Sequence, residues 1–156
     1  HGIKIAFVPS MYQLRKGAKY IKGILKKTEI LILNKEEASL LVRHGDLLNG
    51  LHKLGPKIIC ITNGERETIA YDGYYKYILK PNKVKVIERT GAGDAFSSAF
   101  LASLIKTDDI KFSIRAGTIN AESVIQKLGS KNGLLTWNEL MKKIKKNKVK
   151  IKREVY

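Results

Sequence analysis

The sequence predicts an α/β fold: a three-layer α/β/α arrangement around a mostly parallel sheet. Short, continuous apolar runs alternate with helix-period segments along the 156 residues, the pattern of strands buried on both faces by covering helices. A single hairpin signal, Asp72-Gly73 between two alternating segments, interrupts that order. Apolar residues make up 44% of the chain, enough for a real core, and no run of 18 uncharged apolar residues is present that could span a membrane.

The elements follow in order. "IKIAFVPS" (3–10) reads as a buried strand closed by a Pro-Ser turn. Residues 18–28 carry Ile21, Ile24 and Leu25 at helical spacing, and "EILILN" (29–34) is a short apolar strand. A helix over 35–45 has acids in its first turn and Gly45 near its end; another over 46–55 closes at glycine. "KIICIT" (57–62) is a third buried strand, with Cys60 inside it as a buried, inert thiol. Residues 67–81 form the hairpin, and 83–88 read as a further strand. The charge-poor stretch 93–105 is a buried helix, and 108–129 a second long one. Residues 136–147 begin at Thr136 with Glu139 three positions on, a capping box. Trp137 is placed to pack this last helix. No repeat, low-complexity segment or linker is visible.

A formal charge of +16 raises nucleic-acid binding. Two features count against it. Lysines number 24 against six arginines, and Arg is the residue suited to reading bases and forking phosphates. Residues 141–156 hold eight cations and one Glu, so +7 of the excess lies in a segment that reads as a solvated tail. Tyr74, Tyr75 and Tyr77 flank Lys76, but alternate as sheet residues do. Nucleic acid is therefore not favoured as a partner. His1, His44 and His52 lack metal-ligand spacing. One cysteine fits a reducing, cytoplasmic setting. The chain opens without methionine, which leads us to expect a fragment or a missing early part.

In such sheets ligands bind beyond the carboxyl ends of the strands, which directs attention to Asn34, to Thr62–Gly64 and to Thr90–Asp94. In "VIERTGAGDAFSSAF" (86–100) a strand-like run breaks at Arg89, passes through Gly91-Ala92-Gly93 and enters a helix. A helix start offers unpaired N–H groups and a partial positive charge. Glycines let a ligand approach the backbone, so the pair suits an anion such as a phosphate. The loop is not a Walker motif, since no Gly-Lys-Ser/Thr follows, nor a dinucleotide fingerprint, since Phe occupies position 96. Asp94 would repel a phosphate. It has a use as a general base that takes a proton from an attacking hydroxyl while amides hold the transferred group. The local alternative is a tight turn under close helix packing.

"TGAGDAF" after a strand resembles the C-terminal signature of the ribokinase-like carbohydrate kinases, the family of fructokinases, adenosine kinase and the minor phosphofructokinase. "LNKEEA" resembles that family's Asn-x-x-Glu motif at Asn34 and Glu37. "ITNG" (61–64) resembles its strand-end segment near nucleotide phosphates, Asn120 a position near the adenine, and "LGS" (128–130) the segment that closes the site. The resemblance runs in order over nearly the whole chain. It implies an ATP-dependent phosphotransferase acting on a hydroxyl of a sugar or nucleoside. Asp94 would be the base and Gly91, Ala92 and Gly93 the anion hole. Thr62, Asn63, Gly64, Thr90 and Asn120 would lie along the nucleotide. Asn34 and Glu37 would order Mg²⁺ and its waters, with Glu37 the metal residue. Taken locally, Asn34 is equally an N-cap and Glu37 its capping partner.

The sequence departs from the family pattern at Glu88, where the family has Asp near a monovalent cation, and at Arg89, where it has Thr. Dependence on such a cation is left open. Arg89 is suited either to a phosphate or to a surface acid. By the same resemblance, residues 1–140 are the nucleotide-binding and catalytic half and 141–156 a basic C-terminal helix and tail. The N-terminal substrate and lid half would be absent, and with it the surface through which the full-length protein would form a homodimer. Three other readings remain. A vitamin or hydroxymethylpyrimidine kinase would use a cysteine near the loop, and Cys60 lies in a strand instead. The second is a basic nucleic-acid-binding protein, and the third a non-catalytic ribokinase-fold half.

Overall fold

A computed structural model describes residues 2–147 and 149–156. His1, among the histidines without ligand spacing, and Lys148 of the basic segment lie outside them. Among the described residues, six strands form one sheet in the order β1-β2-β3-β4-β5-β6: β1 Ile5–Phe7, β2 Thr28–Asn34, β3 Ile58–Thr62, β4 Thr68–Tyr71, β5 Tyr75–Leu79 and β6 Ile151–Val155. β1, β2 and β3 run parallel, with Asn34 level with Thr62 at the ends of β2 and β3. The hairpin β4/β5 makes the sheet mixed, so the expected parallel character holds for its first three strands.

The chain divides into two compact units. The first comprises the residues up to 64 with 69–76 and 153–156. Its core joins Phe7, Leu31, Leu33, Ile59 and Ile61 of the parallel strands to Leu14, Leu25, Ala38, Leu48 and Leu51 of four short helices. These are α1 Met11–Arg15, α2 Ala18–Leu25, α3 Lys35–Leu41 and α4 Leu47–Lys53. Each buried leucine stabilises this core by roughly 1.5–3 kcal/mol. Cys60 is buried, and burial pushes its thiol well above the ordinary range, which keeps it inert. His52 Nδ1 lies 3.0 Å from the Pro56 carbonyl and its ring stands edge-on to Tyr71, a packing role.

The second unit comprises 65–68 and 77–152. It holds α5 Ala92–Thr107, α6 Ile110–Ile125 and α7 Trp137–Lys146. α5 is buried along Ala95, Phe96, Ala99, Phe100 and Leu104, as its poverty in charge predicts. It lies close enough to α6 that a Cβ on Gly117 would come within 2.8 Å of the Phe96 ring. α7 starts at the expected Thr136–Glu139 capping box, and Trp137 packs near Phe112 at 6.1 Å.

Four expectations need correction. Residues 83–88 form no strand. The amides of Ile87 and Glu88 both donate to the Ile125 carbonyl, an orphan acceptor at the end of α6, so the extended chain is tied to a helix end rather than to a ladder. The neighbour of β5 in the sheet is instead β6, drawn from the basic segment read as a solvated tail. The helix expected over 35–45 stops at Leu41, because Val42 is extended. Finally, the Pro-Ser turn is followed by α1, capped reciprocally by Ser10 and Gln13.

Candidate active site

In the first unit, β2 and β3 end side by side and present Asn34 and Thr62–Gly64 at their carboxyl ends. Asn34 caps α3: its Oδ1 accepts from the Glu37 amide at 2.8 Å, and its own amide donates to Glu37 Oε2 at 2.9 Å. The capping reading of this pair is therefore realised. One Glu37 carboxylate oxygen remains beyond the cap. Among the described residues no group of three or more His, Cys, Asp or Glu could hold a metal. A single hard oxygen suits an ion that keeps most of its waters and takes its other ligands from phosphate, which is the habit of Mg²⁺.

The second unit carries the glycine loop. Gly91 is the N-cap of α5 at φ +83°, ψ −3°, left-handed backbone that favours glycine. A Cβ there would meet Ser130 Cβ at 2.7 Å and the Ser130 carbonyl oxygen at 2.8 Å. At Gly93 an added Cβ would meet nothing within 4 Å. Thus one glycine is needed for close packing and the other faces open space. No side chain caps α5. The Ala92 amide donates to the Arg89 carbonyl at 3.2 Å, and Ala95 opens the helix ladder to Gly91. The amides of Gly91, Gly93 and Asp94 find no acceptor among the described residues. Ala92, expected as part of the anion hole, thus donates within the loop, while the Asp94 amide is left without an acceptor among the described residues.

Asp94 is exposed on the first turn of α5, and its carboxylate makes no hydrogen bond or ion pair among the described residues. Its neighbours are pinned. The Gly129 amide donates to Glu88 Oε2 at 2.7 Å. That bond, with a second from the Thr90 side chain, holds the Glu88 carboxyl below the usual carboxylate range. Thr90 is therefore used within the loop, and the "LGS" segment closes over it through Gly129 and Ser130. Arg89 pairs with Glu65 at 2.5 Å, the surface-acid alternative; no sequence pattern singled out Glu65.

Asn120, expected along the nucleotide, is tied into the interior of the second unit. It is 5% exposed, donates to the Ala95 carbonyl at 2.8 Å and accepts from the Leu135 amide at 3.0 Å. With one bond at each end of its amide, it clamps α5 to the approach to α7.

Residues 3–137 match the pfkB family of carbohydrate kinases. The chain belongs to that family. Two curated relatives in the pfkB group frame its range. A sugar kinase of Archaeoglobus fulgidus whose activity is uncharacterised is 30% identical over 132 residues, covering 83% of this chain and 53% of its own length. The cytidine kinase of Thermococcus kodakarensis is 30% identical over 116 residues, covering 70% and 41%. Among solved structures, the nucleoside kinase of Methanocaldococcus jannaschii, an archaeal member of the ribokinase family, superposes with a TM-score of 0.80 at 24% identity. That likeness covers 92% of this chain and 48% of the other, and establishes the ribokinase fold. The chain spans about half the length of the curated relatives it matches.

Proposed function

We propose that this chain carries the phosphoryl-transfer elements of an ATP-dependent kinase whose acceptor is a hydroxyl of a sugar or nucleoside. The observation that carries the reading is the start of α5. Three backbone amides without acceptors surround an exposed carboxylate that no internal partner claims. Amides at a helix N-terminus, with the open face at Gly93, suit the negative charge of a phosphoryl group. Asp94 has the complementary task. It accepts the proton of the acceptor hydroxyl as that oxygen bonds to the terminal phosphorus, and the bond to the nucleoside diphosphate breaks. The amide N–H groups of Gly91, Gly93 and Asp94 stabilise the transferring group by donating hydrogen bonds and transfer no proton.

Glu88 and Gly129 keep the loop in shape for this work: the carboxylate fixes the segment before the hole to the segment that packs on Gly91. In the first unit, Asn34 and Glu37 are the residues that would hold Mg²⁺, chiefly through water. When bound, the ion neutralises phosphate charge. Family membership supports ATP as the donor. Sugar and nucleoside acceptors both occur among the relatives, and the acceptor is kept at that breadth.

Asp94→Asn in the full-length protein tests the reading. Nucleotide affinity should stay within about twofold, while phosphoryl transfer falls by about 10² or more, the scale of a lost general base. Transfer at the parent rate would remove Asp94 from the chemistry.

A further inference from the structure

We infer that Arg89 is a nucleotide-phosphate ligand held in reserve by Glu65; the inference rests on the reading of residues 90–94 as the phosphoryl-transfer loop. Among residues 88–94, Arg89 is the one cation, set against Glu88 and Asp94. A triphosphate approaching that loop meets two carboxylates, and amide dipoles alone give it little net attraction. A guanidinium supplies the missing charge, in a planar fork that matches two phosphate oxygens at once.

The loop's backbone around Arg89 is fixed. The amides of Ile87 and Glu88 donate to the Ile125 carbonyl, the Glu88 carboxylate accepts from Gly129, and the Arg89 carbonyl accepts from Ala92. Among the described residues the Arg89 side chain makes one ion pair, with Glu65. That pair is open to water, with side-chain exposures of 64% and 70%, and exposed pairs of this kind contribute little stability. Exchanging the Glu65 carboxylate for a phosphate is therefore nearly free of cost. Glu65 directly follows Gly64, the last residue of the strand-end segment at β3.

Titration calorimetry on the 156-residue chain with Mg²⁺ and ATP, ADP or adenosine, for the parent, Arg89→Ala, Glu65→Gln and the double variant, tests this. Arg89→Ala should weaken ATP and ADP by about tenfold or more and leave adenosine unchanged. Glu65→Gln should tighten ATP by up to about fivefold, and do nothing in the Arg89→Ala background. A parent chain that binds ATP, with an equally well folded Arg89→Ala chain that binds it equally well, overturns this inference alone. Equal weakening by both single variants also overturns it, and marks the pair as a structural latch. A parent chain that binds no nucleotide overturns the loop reading and this inference together.

Discussion

Gly91 and Gly93 look alike in the sequence and differ in what a side chain would cost. At Gly91 an alanine would occupy left-handed backbone, at about 1–2 kcal/mol, and would also strike the Ser130 backbone. Gly91→Ala should therefore destabilise the second unit by about 2 kcal/mol or more, measured as a lower midpoint in thermal or urea unfolding. Gly93→Ala should unfold with the parent or slightly later, since its Cβ meets nothing and alanine favours a helix. Reversed outcomes would mean that the loop is held differently. Asn120 makes the complementary point. Its internal bonds were not legible in the sequence, because nothing local distinguishes an amide facing a cleft from one buried between two backbone groups. Asn120→Leu leaves the Leu135 amide without its acceptor and takes one donor from the Ala95 carbonyl, which keeps the Ser98 hydroxyl. It should cost at least about 2 kcal/mol in unfolding experiments. The exposed acid at the start of α5 was legible, because Asp94 directly follows the paired glycines that open the helix.

Among the elements, those with strong internal patterns were readable: the apolar runs of β2 and β3, the Asp72-Gly73 hairpin, and the capping box of α7. Asp72 accepts from both the Tyr74 and Tyr75 amides, so the turn is built from the residue that signalled it. The Ser10–Gln13 pair before α1 carried the same kind of signal and was passed over for the Pro-Ser turn. Residues 83–88 misled because alternation fixes an extended chain but not its partner. β6 was hidden beneath its lysines, since net charge says nothing about pairing. β6 leads into Tyr156, whose hydroxyl donates to Asp46, the N-cap of α4, and whose ring stands edge-on to Tyr71 at 5.2 Å. Burial first, then the bond to Asp46, pushes the Tyr156 hydroxyl up to about 12. Its raised value means the folded state holds the proton more tightly than the unfolded state. This contribution is complete below about pH 10, the ordinary tyrosine value, and fades as pH rises through about 12. Burial acts to raise Asp46, but the Tyr156 hydroxyl and the Asn49 and Leu48 amides outweigh it and hold the carboxyl below its usual value. That share is lost as pH falls through the folded value. Tyr156→Phe should flatten the alkaline slope of stability against pH, followed by circular dichroism; an unchanged slope would exclude the bond as its source.

At the scale of the molecule, the sequence supplied the fold class and family because several short motifs recurred in one order along the chain. It did not supply the two compact units, since their boundaries cut through β4, β5 and β6 without any change in composition. The charge of +16 remains a property of the whole surface. Any association with RNA should therefore be non-specific: indifferent to base composition, and falling steeply as salt rises from about 0.05 to 0.2 M. Filter binding with homopolymers measures this, and a strong preference for one base at high salt would show a built interface instead. No helix among the described residues is long and apolar enough to cross a membrane. The first unit has a further property in time as well as space. Residues 153–156 belong to it, yet they are the last of the 156 to leave the ribosome, and a nascent chain folds from its leading end. The edge of β5 that β6 covers therefore stays unpaired until residues 151–155 have been made, so translation speed and chaperone access bear on this protein's yield in a way that refolding from denaturant would not reveal.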